Sequence, residues 1–145
     1  MRALCVAVML AIAPRGRAGG PTAPFVVIVN EANPITAMPK ARVAQYFLKR
    51  LKKWDDGAPI DPVDLEEGSA IRAEFSRAVH GRSTSAIKAY WEEQVFSGAE
   101  SPPVEFAAES DVVAFVRSHV HAIGYVSPGA VSSGAGVRVV DITGL

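Results

Sequence analysis

The spacing of apolar residues changes from segment to segment along the chain. Phe25 to Val29 is an unbroken run of β-branched and aromatic residues, the pattern of a strand buried on both faces. From Asn30 to Pro39 two prolines interrupt regular structure, and a loop is expected. From Ala41 onward Val43, Tyr46, Phe47, Leu51 and Trp54 form one helical stripe, with Arg42, Gln45, Lys49, Lys52 and Lys53 on the other side. Asp55-Asp56-Gly57 gives that helix an end in turn chemistry. Ile60, Val63 and Leu65 anchor a second strand, which Pro62 assigns to a sheet edge or an irregular position. Ser69 is placed to cap the next helix, whose inward stripe is Ile71, Phe75, Ala78 and Val79 and whose stop is His80-Gly81.

Ser83-Thr84-Ser85 opens a third helix with the stripe Ile87, Tyr90, Trp91 and Val95, ending near Gly98. After Pro102-Pro103 comes a short strand, Val104 to Ala107. A fourth helix capped by Ser110 then turns Val112, Phe115, Val116 and Val120 inward. Ile123 to Val126 and Val137 to Ile142 are the last strands, separated by the Ser- and Gly-rich stretch from Ser127 to Gly136. The expected order is β-α-β-α-α-β-α-β-β, an α/β layer with crossover connections.

The first eighteen residues carry a different pattern. A positive start at Arg2, an uninterrupted apolar run from Ala3 to Ala13, and small residues at Gly16 and Ala18 make residues 1–18 an export signal by pattern. The apolar run is shorter than the roughly 20 residues needed to span a bilayer. Residues 19–24 then read as a flexible leader and residues 25–145 as a single domain in the periplasm. The only cysteine, Cys5, lies within the signal, so the expected mature domain has no thiol or disulfide chemistry. Removing the signal takes away three arginines and no acid. The whole-chain balance of 15 basic and 15 acidic residues therefore becomes mildly acidic, which speaks against electrostatic capture of nucleic acid.

The strongest candidate for chemistry is the helix start at Gly68-Ser69. First-turn amides have no partner within a helix and carry partial positive charge, so they can receive an anion. Arg72, one turn in, could offer a guanidinium fork to an oxyanion. The plain alternative is an ordinary capped helix with Arg72 in solvent or paired with Asp64, Glu66 or Glu67. The acidic run Asp61, Asp64, Glu66, Glu67 matches no calcium-loop spacing, complements the helix dipole, and would repel phosphate. His119 and His121 resemble a fragment of a metal site with no cysteine to support it, and packing is the expected role of Trp54, Tyr90, Trp91 and Tyr125. The sequence contains no nucleophile elbow, P-loop or dinucleotide fingerprint, so neither an enzyme nor a cofactor is expected.

Three stretches carry a family resemblance. Val26-Val27-Ile28-Val29-Asn30 looks like a strand that crosses between lobes. Tyr46-Phe47-Leu48-Lys49-Arg50-Leu51 through Trp54-Asp55-Asp56 looks like a helix end, and Val120 to Val126 looks like a late Ile-Gly-Tyr-Val strand. In this order they resemble the phosphate ABC transporter substrate-binding proteins, which have the type 2 periplasmic-binding-protein fold, and they cover one lobe of the two. The resemblance implies a three-layer-like α/β lobe. The family's Arg-x-Asp-Gly-Ser-Gly-Thr ligand stretch is matched here by Leu65-Glu66-Glu67-Gly68-Ser69-Ala70-Ile71, so Gly68 and Ser69 carry over while the arginine and the Gly-Thr pair do not. The implied function is weak binding of phosphate, another small oxyanion or a polar solute, linked to transport through an envelope or transporter partner. The alternative is a non-enzymatic envelope interaction domain that has kept the lobe but lost the ligand.

Overall fold

A computed structural model describes residues 23–145. The export signal and most of the leader lie outside the described residues. Six strands form one mixed sheet in the order β2-β6-β1-β5-β3-β4. They are β1 (Val26–Asn30), β2 (Ala37–Pro39), β3 (Asp61–Leu65), β4 (Val104–Phe106), β5 (Ala122–Val126) and β6 (Val137–Thr143). β1 runs antiparallel to both its neighbours, β5 and β6; β3 runs parallel to β4 and β5, and β2 parallel to β6. The helices are α1 (Lys40–Phe47), α2 (Ala70–Phe75), α3 (Thr84–Phe96) and α4 (Glu109–Ser118), and α2 continues into a wider π turn over Ser76–His80.

Strand alternation divides the core into two faces. On one face Phe25, Tyr125, Phe47 and Phe75 form an aromatic cluster beneath α1 and α2, with the Phe75 and Tyr125 rings stacked at 3.8 Å. On the other, Val112 and Val116 of α4 pack against Val63 and the bare backbone of Gly124. Asn30 closes this face. Its amide donates to the carbonyls of Val116 (3.0 Å) and Arg117 (2.8 Å), satisfying the C-terminal end of α4. The α/β layers match the expected class.

The structure corrects several local expectations. The segment expected to be a loop contains β2, which exists because Ala37 to Pro39 pair with Asp141 to Thr143. α1 ends at Phe47 rather than near Asp55. Lys49 takes a left-handed φ of 52°, and the amides of Lys49 and Arg50 turn back to the carbonyls of Tyr46 and Gln45, closing the helix. Trp54 therefore lies in a loop, although it is still buried, with its ring edge-on to Tyr46 and its indole N–H donating to the His121 carbonyl at 3.1 Å.

β3 is an interior strand despite Pro62. The amides of Asp61 and Glu66 bond on opposite sides, to His121 and Phe106, so alternation turns the Pro62 nitrogen toward β4, and β4 begins one residue later, at the level of Val63. Ser110 does not cap α4. Ala108 occupies that position and Ser110 falls within the first turn. Val95 and Val120, expected inward, are 56% and 53% exposed: Val95 faces solvent from the last turn of α3, and Val120 lies past the end of α4.

Candidate functional site

Parallel pairing of β3 with β4 and β5 brings the C-terminal ends of these strands to one edge of the sheet. In sheets of this kind, ligands bind where strands lead into helices at that edge. β3 leaves the edge through Glu66, whose amide donates to the Phe106 carbonyl at 3.1 Å. A tight turn follows, with the Ser69 amide on the Glu66 carbonyl at 3.0 Å. Ser69 then caps α2, its hydroxyl oxygen accepting from the Arg72 amide at 3.2 Å, as its residue type and position predict. Gly68 is exposed, with open space where a side chain would stand.

Arg72 does not present the free guanidinium fork that its position could offer: it is only 4% exposed and its charge is already engaged. Nη1 donates to the Leu65 carbonyl at 2.8 Å and to Glu105 Oε1 at 2.7 Å, and Nε lies 3.7 Å from Asp64 Oδ1. The partnership with Asp64 was one of the plain alternatives. No local signal in the sequence points to Glu105, which reaches this position only through the pairing of β4 with β3.

Asp64 is buried and accepts hydrogen bonds from the Tyr125 hydroxyl and from the Leu65 amide. Burial raises the Asp64 pKa, against the opposing pull of Arg72 and of the Tyr125 hydrogen bond. Burial, reinforced by the Asp64 charge, raises that of Tyr125 as well. Burial works against the charge on Arg72, but Asp64 and Glu105 outweigh it and hold the pKa above its ordinary value. The network ties the start of α2 to both β3 and β4. Glu67, beside the turn, pairs with Lys88 of α3 at 3.1 Å.

The histidines lie elsewhere. His121 stands just before β5, at the opposite end of the strand from Ser127, and its carbonyl receives Trp54. The His119 ring stacks on Phe115 and its Nδ1 lies 2.8 Å from the Phe115 carbonyl. Among the described residues, no group of three or more His, Cys, Asp or Glu is placed to hold a metal. Trp91 is buried, and Tyr90 is half-buried with its hydroxyl donating to Leu48 at 3.0 Å.

No protein-family model and no curated protein matches the sequence. Solved structures share this α/β fold. A phosphate ABC transporter substrate-binding protein from Clostridium perfringens, solved with bound phosphate, superimposes with a TM-score of 0.66 at 19% identity over 84% of this chain. An ABC-type phosphate transport receptor from Vibrio cholerae gives 0.66 at 18% identity over 84%, and PstS from Borrelia burgdorferi 0.59 at 14% over 83%. The chain spans only 46–47% of the length of these structures, so the likeness is to a single lobe. No helix among the described residues is long and apolar enough to cross a membrane.

Proposed function

We propose that this lobe binds a small oxyanion, phosphate among the candidates, at the turn where β3 passes through Gly68 and Ser69 into α2. The observation that carries the reading is the position of this turn: it stands at the C-terminal edge of the parallel strands in a lobe that shares its fold with phosphate receptors. The first-turn amides of Ala70 and Ile71 would donate to the anion. The Ser69 hydroxyl, which accepts from Arg72, still has its own proton to donate. Arg72 keeps its place in the proposal as the residue that holds the turn and lends background positive charge, not as a free fork.

Glu66 and Glu67 oppose an anion here, so the expected affinity is weak, with Kd on the order of 0.1–1 mM. The test is titration with phosphate and with sulfate, followed by amide NMR. The amides of Gly68 to Ile71 should shift and saturate, and Glu67→Gln should tighten binding by removing a like charge. If these amides stay fixed at tens of millimolar anion, the proposal fails.

The same reading makes the protein a non-enzymatic, exported component of solute transport that hands its ligand to an envelope partner. Residues 1–18 would be removed and the periplasmic chain would begin near Gly19. Intact-mass measurement of the exported species checks this, and a form retaining Met1 would contradict it.

A further inference from the structure

Beside the Arg72 network lies a groove of about 520 Å³ between α3 and the segment leading into β4. Its apolar wall comes from Trp91, Val95, Phe96 and Pro102. The apolar surface is unusually open at one end. Phe96 is 95% exposed and Val95 56%. Contiguous apolar surface with a polar rim is characteristic of a protein contact.

The rim decides what kind of partner fits. Lys88 is paired with Glu67, and Arg72 with Glu105, so these charges largely cancel within the groove. Glu92 lines the groove with no salt-bridge partner among the described residues, which leaves the rim net negative. An anionic membrane surface would be repelled by this rim. A second copy would bring an identical acidic rim against it. We infer that the groove receives a segment of another protein in which large apolar side chains are flanked by lysine or arginine. The apolar side chains would cover Phe96 and Val95, and a basic neighbour would reach Glu92. Arg72 and Glu67 line both sites, but the groups that would touch the partner, Phe96, Val95 and Glu92, have no part in the anion site.

The test uses the full chain and two synthetic capped hexapeptides, Lys-Leu-Phe-Lys-Leu-Lys and Glu-Leu-Phe-Glu-Leu-Glu, followed by amide NMR. The basic peptide should shift the amides of Trp91 to Phe96 and of Glu105 and bind at least about tenfold more tightly than the acidic one, a difference of ~1.4 kcal/mol. Phe96→Ser should weaken the basic peptide about tenfold or more, as loss of an interface aromatic does. Glu92→Lys should reverse the charge preference. Both positions are exposed, so neither change threatens folding. Equal affinity for the two peptides, or no shift at about 5 mM of either, overturns the inference. So does concentration-dependent dimerisation abolished by Phe96→Ser, which would assign the groove to a second copy. Anion titration of the same variants reads the α2 site separately, so the two proposals can fail independently.

Discussion

The two faces of the sheet solve the burial problem with different chemistry. Under α4 the contact is aliphatic and close. A Cβ on Gly124 would lie 2.8 Å from Val112 Cγ1 and 3.0 Å from Val63 Cγ2, so close fit holds the layers together, with the Asn30 amide fastening the end of α4. Under α1 and α2 the contact is aromatic and ends in charge. Tyr125 stacks on Phe75 and passes its hydroxyl to Asp64, which stands beside Arg72. An aromatic ring with a polar tip can join an apolar core to an ionic network, which a valine cannot do. The face that carries the polar network is also the one that leads to the candidate ligand turn. Hence the two faces should fail differently when altered.

The largest effect is expected on the charged face. Arg72→Met leaves Asp64 buried without its cation and should cost about 3–5 kcal/mol in urea unfolding. Arg72→Met with Asp64→Leu should recover more than half of that, because the stranded carboxylate is gone. A loss below about 1 kcal/mol for the single variant would show that the network contributes little.

Gly124→Ala tests the aliphatic face and should cost about 1–3 kcal/mol by overpacking. The neighbouring valines are stiff at χ1 and cannot easily turn aside. Adding Val112→Ala should restore part of the loss, whereas it should do nothing for Arg72→Met, which lies across the sheet.

pH separates the faces again. His80 packs edge-on against Phe75, and its buried Nδ1 has no hydrogen-bond partner. Burial, with the nearby Arg82, Arg72 and Arg50 charges, lowers its pKa to about 4. The folded state therefore binds its proton later than the unfolded chain does. Stability from His80 is full above pH 6.5, falls as the pH drops below 6.5, and levels off near pH 4. Between pH 6.5 and 5 the loss should be about 2 kcal/mol. Asp64, whose pKa is raised, acts with the opposite sign: its contribution is present at acid pH and is lost as the pH rises. Comparison with His80→Gln isolates the histidine, since the carboxylates titrate in both proteins. The same slope in both would assign the acid sensitivity to other groups.

The smallest effect is expected at the cap. Ser69→Ala removes the acceptor for the Arg72 amide and should cost about 1 kcal/mol. If the turn also binds anion, the same change should weaken phosphate binding, whereas Gly124→Ala should leave it unchanged.

What the sequence determined alone was whatever depends on a few neighbouring residues. The apolar runs from Phe25 to Val29 and from Ile123 to Val126 became the central strands β1 and β5 because no other element can bury both of their faces. Ser69 and Ser83 cap α2 and α3 because a hydroxyl beside free amides needs only its own turn. The ends of α1 and α3 show the limit. Both close through the same pair of reversed hydrogen bonds, Lys49 and Arg50 in one, Gly98 and Ala99 in the other. Gly98 announces a left-handed residue and Lys49 does not, so the end of α3 could be read and that of α1 could not.

The tertiary structure decided everything that requires a distant partner. β2 exists only because β6 lies beside it, and Pro62 is tolerated inside the sheet only because β4 starts one residue beyond it. Arg72 is an internal strut because Glu105, 33 positions away in the chain, arrives on the adjoining strand. Charge, helix position and capping chemistry are written locally. Whether a buried guanidinium faces a ligand or a carboxylate depends on which strand the fold places next to it, and that choice is made by the packing of the whole sheet.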